Sequence, residues 1–296
     1  MRFAACCAAY LLAGPGSLAQ DLEPRSYTNL PVKQTFLALG YARSEGDLSP
    51  TPSSPLQNAE MTIEAGVLAL ARSFELAGDS AKFDIAASRV CYEGSAIFEG
   101  EFATADRCEY GDPSVKLTWN FYGAPALELQ DFGQWQPGLV VGASLQATVP
   151  LGTYTARHLI NAGTNRWMLR PGLGMSYRVG RWYIDLQGSV RVFEDNDDNF
   201  RGTLLEQDPI YSLQSHLIYM LGRGAWISAN LNYFDGGETY INGNARDDQV
   251  ENSRLGVTLS FPLSAKQSLK LSASTGVLTR VGNDFDTASV VWLYRF

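Results

Sequence analysis

The chain has 296 residues, of which 31 are acidic and 23 are basic, and its formal net charge is −8. An acidic chain without a basic stripe is unsuited to nucleic acid, which excludes that class of partner. The length is enough for one large β domain. No run of 18 apolar residues follows the amino-terminal stretch, which excludes a helical membrane span.

The amino terminus is typical of a secretory signal peptide. Arg2 precedes the apolar run 3–13, and small residues follow up to Ala19. We therefore predict a signal peptide over 1–19, cleavage after Ala19, and a single mature domain over 20–296. A lipid anchor is the alternative, but Cys6 and Cys7 lie too early for a lipoprotein attachment site.

The mature sequence alternates apolar and polar residues with a period of two, which is typical of β-strands with unlike faces. In residues 181–193, Trp182, Ile184 and Leu186 alternate with Tyr183 and Asp185. About twelve such segments are predicted, near 28–43, 58–74, 80–90, 113–122, 137–150, 166–179, 181–194, 209–221, 225–235, 252–262, 267–280 and 285–296. No segment shows a helical period.

The connections between these segments alternate in length. Tight links near Gly78, Gly180, 222–224 and 264–267 alternate with long polar loops at 44–57, 91–112, 151–165, 195–208 and 236–251. Short periplasmic turns and long external loops indicate an all-β fold, a single antiparallel transmembrane β-barrel in the bacterial outer membrane. The link 123–136 departs from this pattern because it is too long for a turn. A β-sandwich is the alternative, but its interior is apolar and, unlike a barrel lumen, offers no water to the charged residues of the polar face.

The polar faces of the segments supply the candidate lumen or pore-lining residues, which are Glu64, Arg72, Lys116, Arg170, Arg178, Asp185, Arg191, His216 and Lys270. Such charges either line a conduction path or neutralise one another inside a plugged barrel. Aromatic residues near strand ends predict interfacial girdles, namely Trp135, Trp167, Trp182, Tyr219, Trp226, Tyr233, Trp292 and Tyr294. Pro171 lies in mid-strand and predicts a bulge.

Three patterns suggest other chemistry. Cys91 and Cys108 predict a disulfide in an exported chain, with free thiols, or half a metal site completed by His158 and His216, as alternatives. Acidic residues at 195, 197 and 206 match part of a calcium loop, but Phe200 replaces the required glycine, so a solvated loop is the better interpretation. His216 near Ser212 or Ser215 is a candidate base of a remote hydrolase. We expect no catalytic residue, metal or cofactor.

Several runs resemble a known family. They are Pro24 to Val32 with Phe36-Leu37 and Gly40-Tyr41, Asn165-Arg166-Trp167, Arg170 to Gly174, Gly180-Arg181-Trp182, Glu206 to Tyr211, His216 to Tyr219, Asn252-Ser253-Arg254 and Gly282 to Asp286. Over essentially the whole mature chain, the sequence resembles the outer-membrane transporters of the phenol-degradation meta-pathway family. Where that family usually has glycine after Pro-Val, this chain has Lys33.

The resemblance implies export or uptake linked to aromatic catabolism. The terminal run Trp292 to Phe296 is similar to the signal that the outer-membrane assembly machinery reads. We therefore expect a passive channel or transporter for small, aromatic or hydrophobic solutes. Its partners would be outer-membrane lipids, the solutes, and the assembly machinery through Phe296. A closed structural or adhesive barrel is the alternative.

Overall fold

The computed structural model describes residues 22–49 and 56–296, so the predicted signal peptide lies outside the described residues. The strands are β1 (Thr35–Ser49), β2 (Leu56–Leu76), β3 (Asp79–Phe98), β4 (Glu101–Tyr110), β5 (Ser114–Tyr122), β6 (Leu139–Thr148), β7 (Met168–Val179), β8 (Trp182–Phe193), β9 (Asn196–Asn199), β10 (Thr203–Gln207), β11 (Ile210–Gly222), β12 (Ala225–Gly236), β13 (Thr239–Ile241), β14 (Asn244–Ala245), β15 (Val250–Pro262), β16 (Gln267–Leu278) and β17 (Gly282–Arg295). One short helix, α1, spans Leu129–Phe132, and a 3-10 turn spans Phe200–Gly202. No helix in these two ranges is long and apolar enough to cross a membrane.

Twelve of these strands form a closed antiparallel barrel, as predicted. Around the wall the order is β1, β2, β3, β5, β6, β7, β8, β11, β12, β15, β16 and β17, and β17 returns to β1. The closing pairing runs from Phe36 opposite Arg295 to Ser49 opposite Gly282. Closure gives every wall strand two partners, which is what a sheet in lipid requires because no water is there to satisfy an open edge.

The two ends of the barrel differ in their connections. Tight turns join β2 to β3, β7 to β8, β11 to β12 and β15 to β16 at one end. At the other end, β3 continues beyond its pairing with β5 and forms a hairpin with β4. The short strands β9, β10, β13 and β14 form a second sheet in the long connections. Since short turns face the periplasm in outer-membrane barrels, the hairpin and the second sheet lie at the external end.

The alternation predicted from the sequence sets the two faces of the wall. In β8, Trp182, Ile184 and Leu186 are exposed on the outside, whereas Tyr183 and Asp185 are buried inside. Aromatic rings meet on the outer surface near the periplasmic end, where Trp182 packs on Tyr219 and Tyr294 packs between Trp292 and Phe296. Amphipathic rings at this level suit the interface between hydrocarbon and water. Trp226 was wrongly assigned to a girdle, since it is 1% exposed and points inward.

Two further expectations about the wall were wrong. The first strand begins at Thr35 rather than near 28, because residues 22–34 turn into the barrel instead. Pro171 does not cause a bulge: it lies opposite Leu145, and the register between β7 and β8 is unchanged on either side of it. The link 123–138 is longer than a turn, as its sequence indicated, and it carries α1.

Candidate functional site in the barrel lumen

Residues 22–34, called the lumenal segment here, run inside the barrel rather than in its wall. Their buried side chains include Pro24, Arg25, Tyr27, Asn29 and Leu30. Pro24 and Pro31 lack the N–H that a ladder needs, and Arg25 and Lys33 have φ of +70° and +61°. The segment therefore turns instead of adding to the sheet, and its polar groups pair with the inner wall.

The carboxylate of Glu23 lies between two cations of the wall. Lys116 Nζ on β5 is 2.5 Å from Glu23 Oε2, and Arg170 Nη1 on β7 is 3.4 Å from Glu23 Oε1. Ser26 Oγ donates to Glu23 Oε2 at 3.0 Å, and the Glu23 amide donates to Gln214 Oε1 at 3.2 Å. Charged groups this far from bulk water are stable only when paired in this way.

Arg25 is held by the wall strands β8 and β12, which flank β11. Its backbone N–H donates to Asp185 Oδ2 on β8 at 2.7 Å. Its guanidinium lies 5.4 Å from the centre of the Tyr183 ring and 5.7 Å from that of Trp226. Cations are attracted to aromatic faces, and more strongly where water is excluded. Trp226 therefore points inward because its ring contacts the guanidinium of Arg25.

Tyr27 fills a niche formed by glycines of β6 and β7. A Cβ added to Gly174 would lie 2.2 Å from Tyr27 Cε2, and one added to Gly142 would lie 2.7 Å from Tyr27 Cδ1. Gly142 and Gly174 face each other across the two strands, and Gly172 faces Ser144. The phenol oxygen of Tyr27 is 3.0 Å from Ser144 Oγ. Only residues without side chains leave room for a ring against this wall.

The long periplasmic link 123–138 braces the lower end of the lumenal segment. The Asn29 side-chain amide donates to Pro125 O at 3.2 Å, and the Val32 N–H donates to Leu127 O at 2.9 Å. Lys33 forms an exposed ion pair with Glu128. The +61° φ of Lys33 is a conformation that glycine adopts without steric cost, which accounts for glycine being usual there in the family that the sequence resembles.

Residues 44–294 match the family described as the MetA-pathway of phenol degradation. The chain belongs to this family. The match takes in ten of the twelve wall strands completely, β17 except for its last residue, and residues 44–49 of β1. No curated protein matches the sequence.

Solved structures show the same fold. An outer-membrane channel from Pseudomonas putida F1 is 23% identical and superimposes with a TM-score of 0.79, covering 93% of this chain and 100% of that one. The translocator domain of the autotransporter NalP from Neisseria meningitidis is 9% identical with a TM-score of 0.52, covering 89% of this chain and 88% of that one. This member of the phenol-degradation family is an outer-membrane β-barrel whose outer face contacts lipid.

The structure separates the predicted lumen residues of this family member into two groups. The inward group consists of Lys116, Arg170, Arg178, Asp185, Arg191, His216 and Lys270. Glu64 and Arg72 were wrongly placed in the lumen. On β2 the inward side chains are Val67, Ala69 and Ala71, so the even-numbered residues of that strand face outward.

The error on β2 has a physical cause. This sector of the wall is apolar on both faces, since its inner face carries a cluster of small and apolar side chains: Phe36, Ala38, Ala69, Ala71, Ala86, Val291 and Leu293. Alternation in hydropathy therefore does not reveal which face is inside. Glu64 forms an exposed ion pair with Arg43 on the outer surface, and Arg72, near the periplasmic end of β2, donates to Thr35 Oγ1.

His216 lies inside but is bonded into the polar network of the wall. Its Nδ1 is 2.9 Å from Asn230 Oδ1, and Asn230 also donates to Thr258 Oγ1 at 3.0 Å. Ser212 donates its hydroxyl to Asn232 Oδ1 instead, and Ser215 has the outward parity of β11. The pairing needed for an activated nucleophile is therefore replaced by amide contacts.

The predicted disulfide and an ion pair brace the β3–β4 hairpin at the external end. Cys91 and Cys108 are bonded directly across the β3–β4 hairpin, which confirms their pairing. At the hairpin tip, both Nη atoms of Arg201 donate to Glu99, at 2.8 and 3.0 Å, and these bonds lower the pKa of the Glu99 carboxyl. In the loop before β7, burial lowers the pKa of Arg166 to about 10.

The acidic connection after β8 shows no metal geometry. Asn199 Nδ2 donates to Thr203 Oγ1 at 3.2 Å, and Asn196 accepts from Asn165 Nδ2 at 2.9 Å, so these amides serve the turn itself. Across residues 22–49 and 56–296, no group of three or more His, Cys, Asp or Glu side chains is arranged around a common point that could hold an ion. The interpretation as a solvated, self-bonded loop agrees with this arrangement.

Proposed function

We propose that the protein is a channel for the passive passage of small solutes, aromatic ones among them, and that the lumenal segment sets the width of the path. The observation that carries the proposal is the segment itself. Ion pairs and hydrogen bonds from Glu23 and Arg25 hold it against a charged inner wall. Because no strand pairing fixes it to the wall, it narrows the lumen as a part that can shift. Membership of a family named for phenol degradation supports aromatic solutes. No catalytic role is proposed for His216.

Single-channel recording in a planar bilayer tests the proposal. The predicted mature chain, residues 20–296, would be refolded, and its folded state shown by heat-modifiable mobility on a gel. We expect small, discrete openings whose current falls when benzoate or phenol is added to one chamber. A silent bilayer from folded protein would contradict the channel and support a closed structural barrel.

The carboxyl-terminal Phe296 is proposed as the contact for the assembly machinery. Its ring is 60% exposed on the outer surface, packed edge-on against Tyr294 at 5.0 Å between centroids. Its backbone N–H donates to Thr35 O at 3.0 Å, so it ends the closing pairing of the barrel. Deleting Phe296 should reduce the membrane-integrated, heat-modifiable fraction in cells severalfold.

Leu263→Ala is the matched control for that deletion, because Leu263 is an exposed apolar side chain at the same end of the barrel. It should leave the integrated fraction unchanged. If both variants assemble as well as the parent chain, Phe296 has no part in recognition by the assembly machinery.

A further inference from the structure

We propose that the lumenal segment occupies a binding site for small hydroxylated aromatic carboxylates. In this arrangement Glu23 takes the place of the solute's carboxylate, and Tyr27 takes the place of its hydroxylated ring. The inference rests on the proposed function, because a solute reaches this place only through the lumen. It names the solute class and the groups that recognise it.

The carboxylate half of the site belongs to the wall. Lys116 and Arg170 come from separate strands, and their side chains are only 20% and 13% exposed. Both charges converge on one carboxylate, which is supplied not by the wall but by the non-strand segment. A guanidinium and an ammonium converging in a partly desolvated place form strong, charge-assisted bonds to any carboxylate that enters. If Glu23 moves away, the same two cations face the next anion.

The ring half of the site is also built into the wall. Gly142, Gly172 and Gly174 leave a depression that the Tyr27 ring fills, and Ser144 meets the phenol oxygen at its rim. A glycine patch costs conformational entropy in a strand and often marks a place where another group approaches closely. A flat ring of the size of phenol is the shape that this depression fits.

The two halves are contiguous. One cavity is lined by both segment side chains and by the wall groups that hold them, namely Glu23, Tyr27, Lys116, Ser144, Gln146 and Arg170. A single small molecule that carries a carboxylate and a hydroxylated ring therefore satisfies the cations, the glycine niche and Ser144 together. The segment is a tethered competitor, since its linkage to β1 keeps its local concentration high. Solute binding and displacement of the segment are then one event.

The test compares Glu23→Gln with the parent chain in titration calorimetry, using 4-hydroxybenzoate as the probe and detergent-folded full-length mature protein. The substitution keeps the shape of the segment but removes the competing charge, so we expect about tenfold tighter binding of the probe. Lys116→Gln should weaken binding about tenfold or more in either background. The neutral analogue 4-hydroxybenzamide should bind poorly to all of these proteins.

Glu128→Gln is the matched control, because it also removes a carboxylate paired with a lysine, but at the periplasmic face. It should leave the affinity for 4-hydroxybenzoate unchanged. Equal affinity of the parent and Glu23→Gln chains, both folded by gel mobility, would overturn the inference.

Conductance recorded on the same proteins separates this inference from the proposed function. Open channels without Lys116-dependent binding would overturn the solute site alone. Lys116-dependent binding in a silent barrel would support the site and overturn the channel.

Discussion

Deleting residues 22–32 is expected to raise single-channel conductance severalfold. The deletion removes the whole set of groups that cross the lumen, including Glu23, Arg25 and Tyr27, while Lys33 still leads into β1. A barrel of this strand number has room for either a side-chain filling or a narrow aqueous path. Because the segment is not part of the wall, its removal widens the path without breaking any strand pairing. Planar bilayer recording, with sugar uptake into liposomes as a measure of size limit, would detect the change.

Glu128→Gln again serves as the reference for the deletion. It releases the exposed pair with Lys33 but keeps the buried contacts at Glu23 and Arg25, so its conductance should stay near that of the parent chain. A deletion variant that folds, by heat-modifiable mobility, yet conducts like its parent would mean that the constriction lies elsewhere, for example at the external loops.

Replacing Lys82 by Met should be the most destabilising single substitution tested. Lys82 and Asp84 are neighbours on the inner face of β3, with Nζ and Oδ1 3.1 Å apart and side chains only 9% and 8% exposed. Removing the cation leaves a buried carboxylate without this partner, which costs about 3–5 kcal/mol. Denaturant unfolding in lipid vesicles, followed by tryptophan fluorescence, would measure the loss of unfolding free energy.

The double variant Lys82→Met, Asp84→Leu distinguishes pairing from packing. Replacing both partners removes the uncompensated charge, so most of the lost stability should return. Lys33→Met is the exposed counterpart, because the Lys33 and Glu128 side chains are 70% and 48% exposed, and it should leave the unfolding free energy nearly unchanged. Equal losses in the single and double variants would show that the lysine stem, not its charge, is what the wall needs.

The wall of the barrel could be predicted because lipid and lumen impose opposite demands on successive residues. In β8 one face is apolar and the other is mainly polar, so Ile184 and Asp185 were placed correctly by their parity alone. The Cys91–Cys108 bridge was also predictable, because only two cysteines follow the predicted signal peptide. Each of these expectations depends on a local pattern.

The centre of the candidate site was not predicted, because no local pattern describes it. Glu23, Arg25 and Tyr27 acquire their roles only from wall strands far along the chain, since Lys116 lies 93 positions after Glu23 and Asp185 lies 160 positions after Arg25. One signal was present: Pro24 and Pro31 flank a stretch that could not be a wall strand. The small glycine niche gave no separate signal, since glycine in a strand also marks bends and bulges.

The position of the lumenal segment constrains the order of assembly. The residues that hold Glu23 and Arg25 lie on β5, β7, β8 and β12. These strands enclose an interior only after β17 has paired with β1. The part of the chain that leaves the ribosome early must therefore either wait outside the closing ring or be enclosed as the ring shuts. In the first case an empty barrel precedes the filled one, and in the second the barrel closes around the segment.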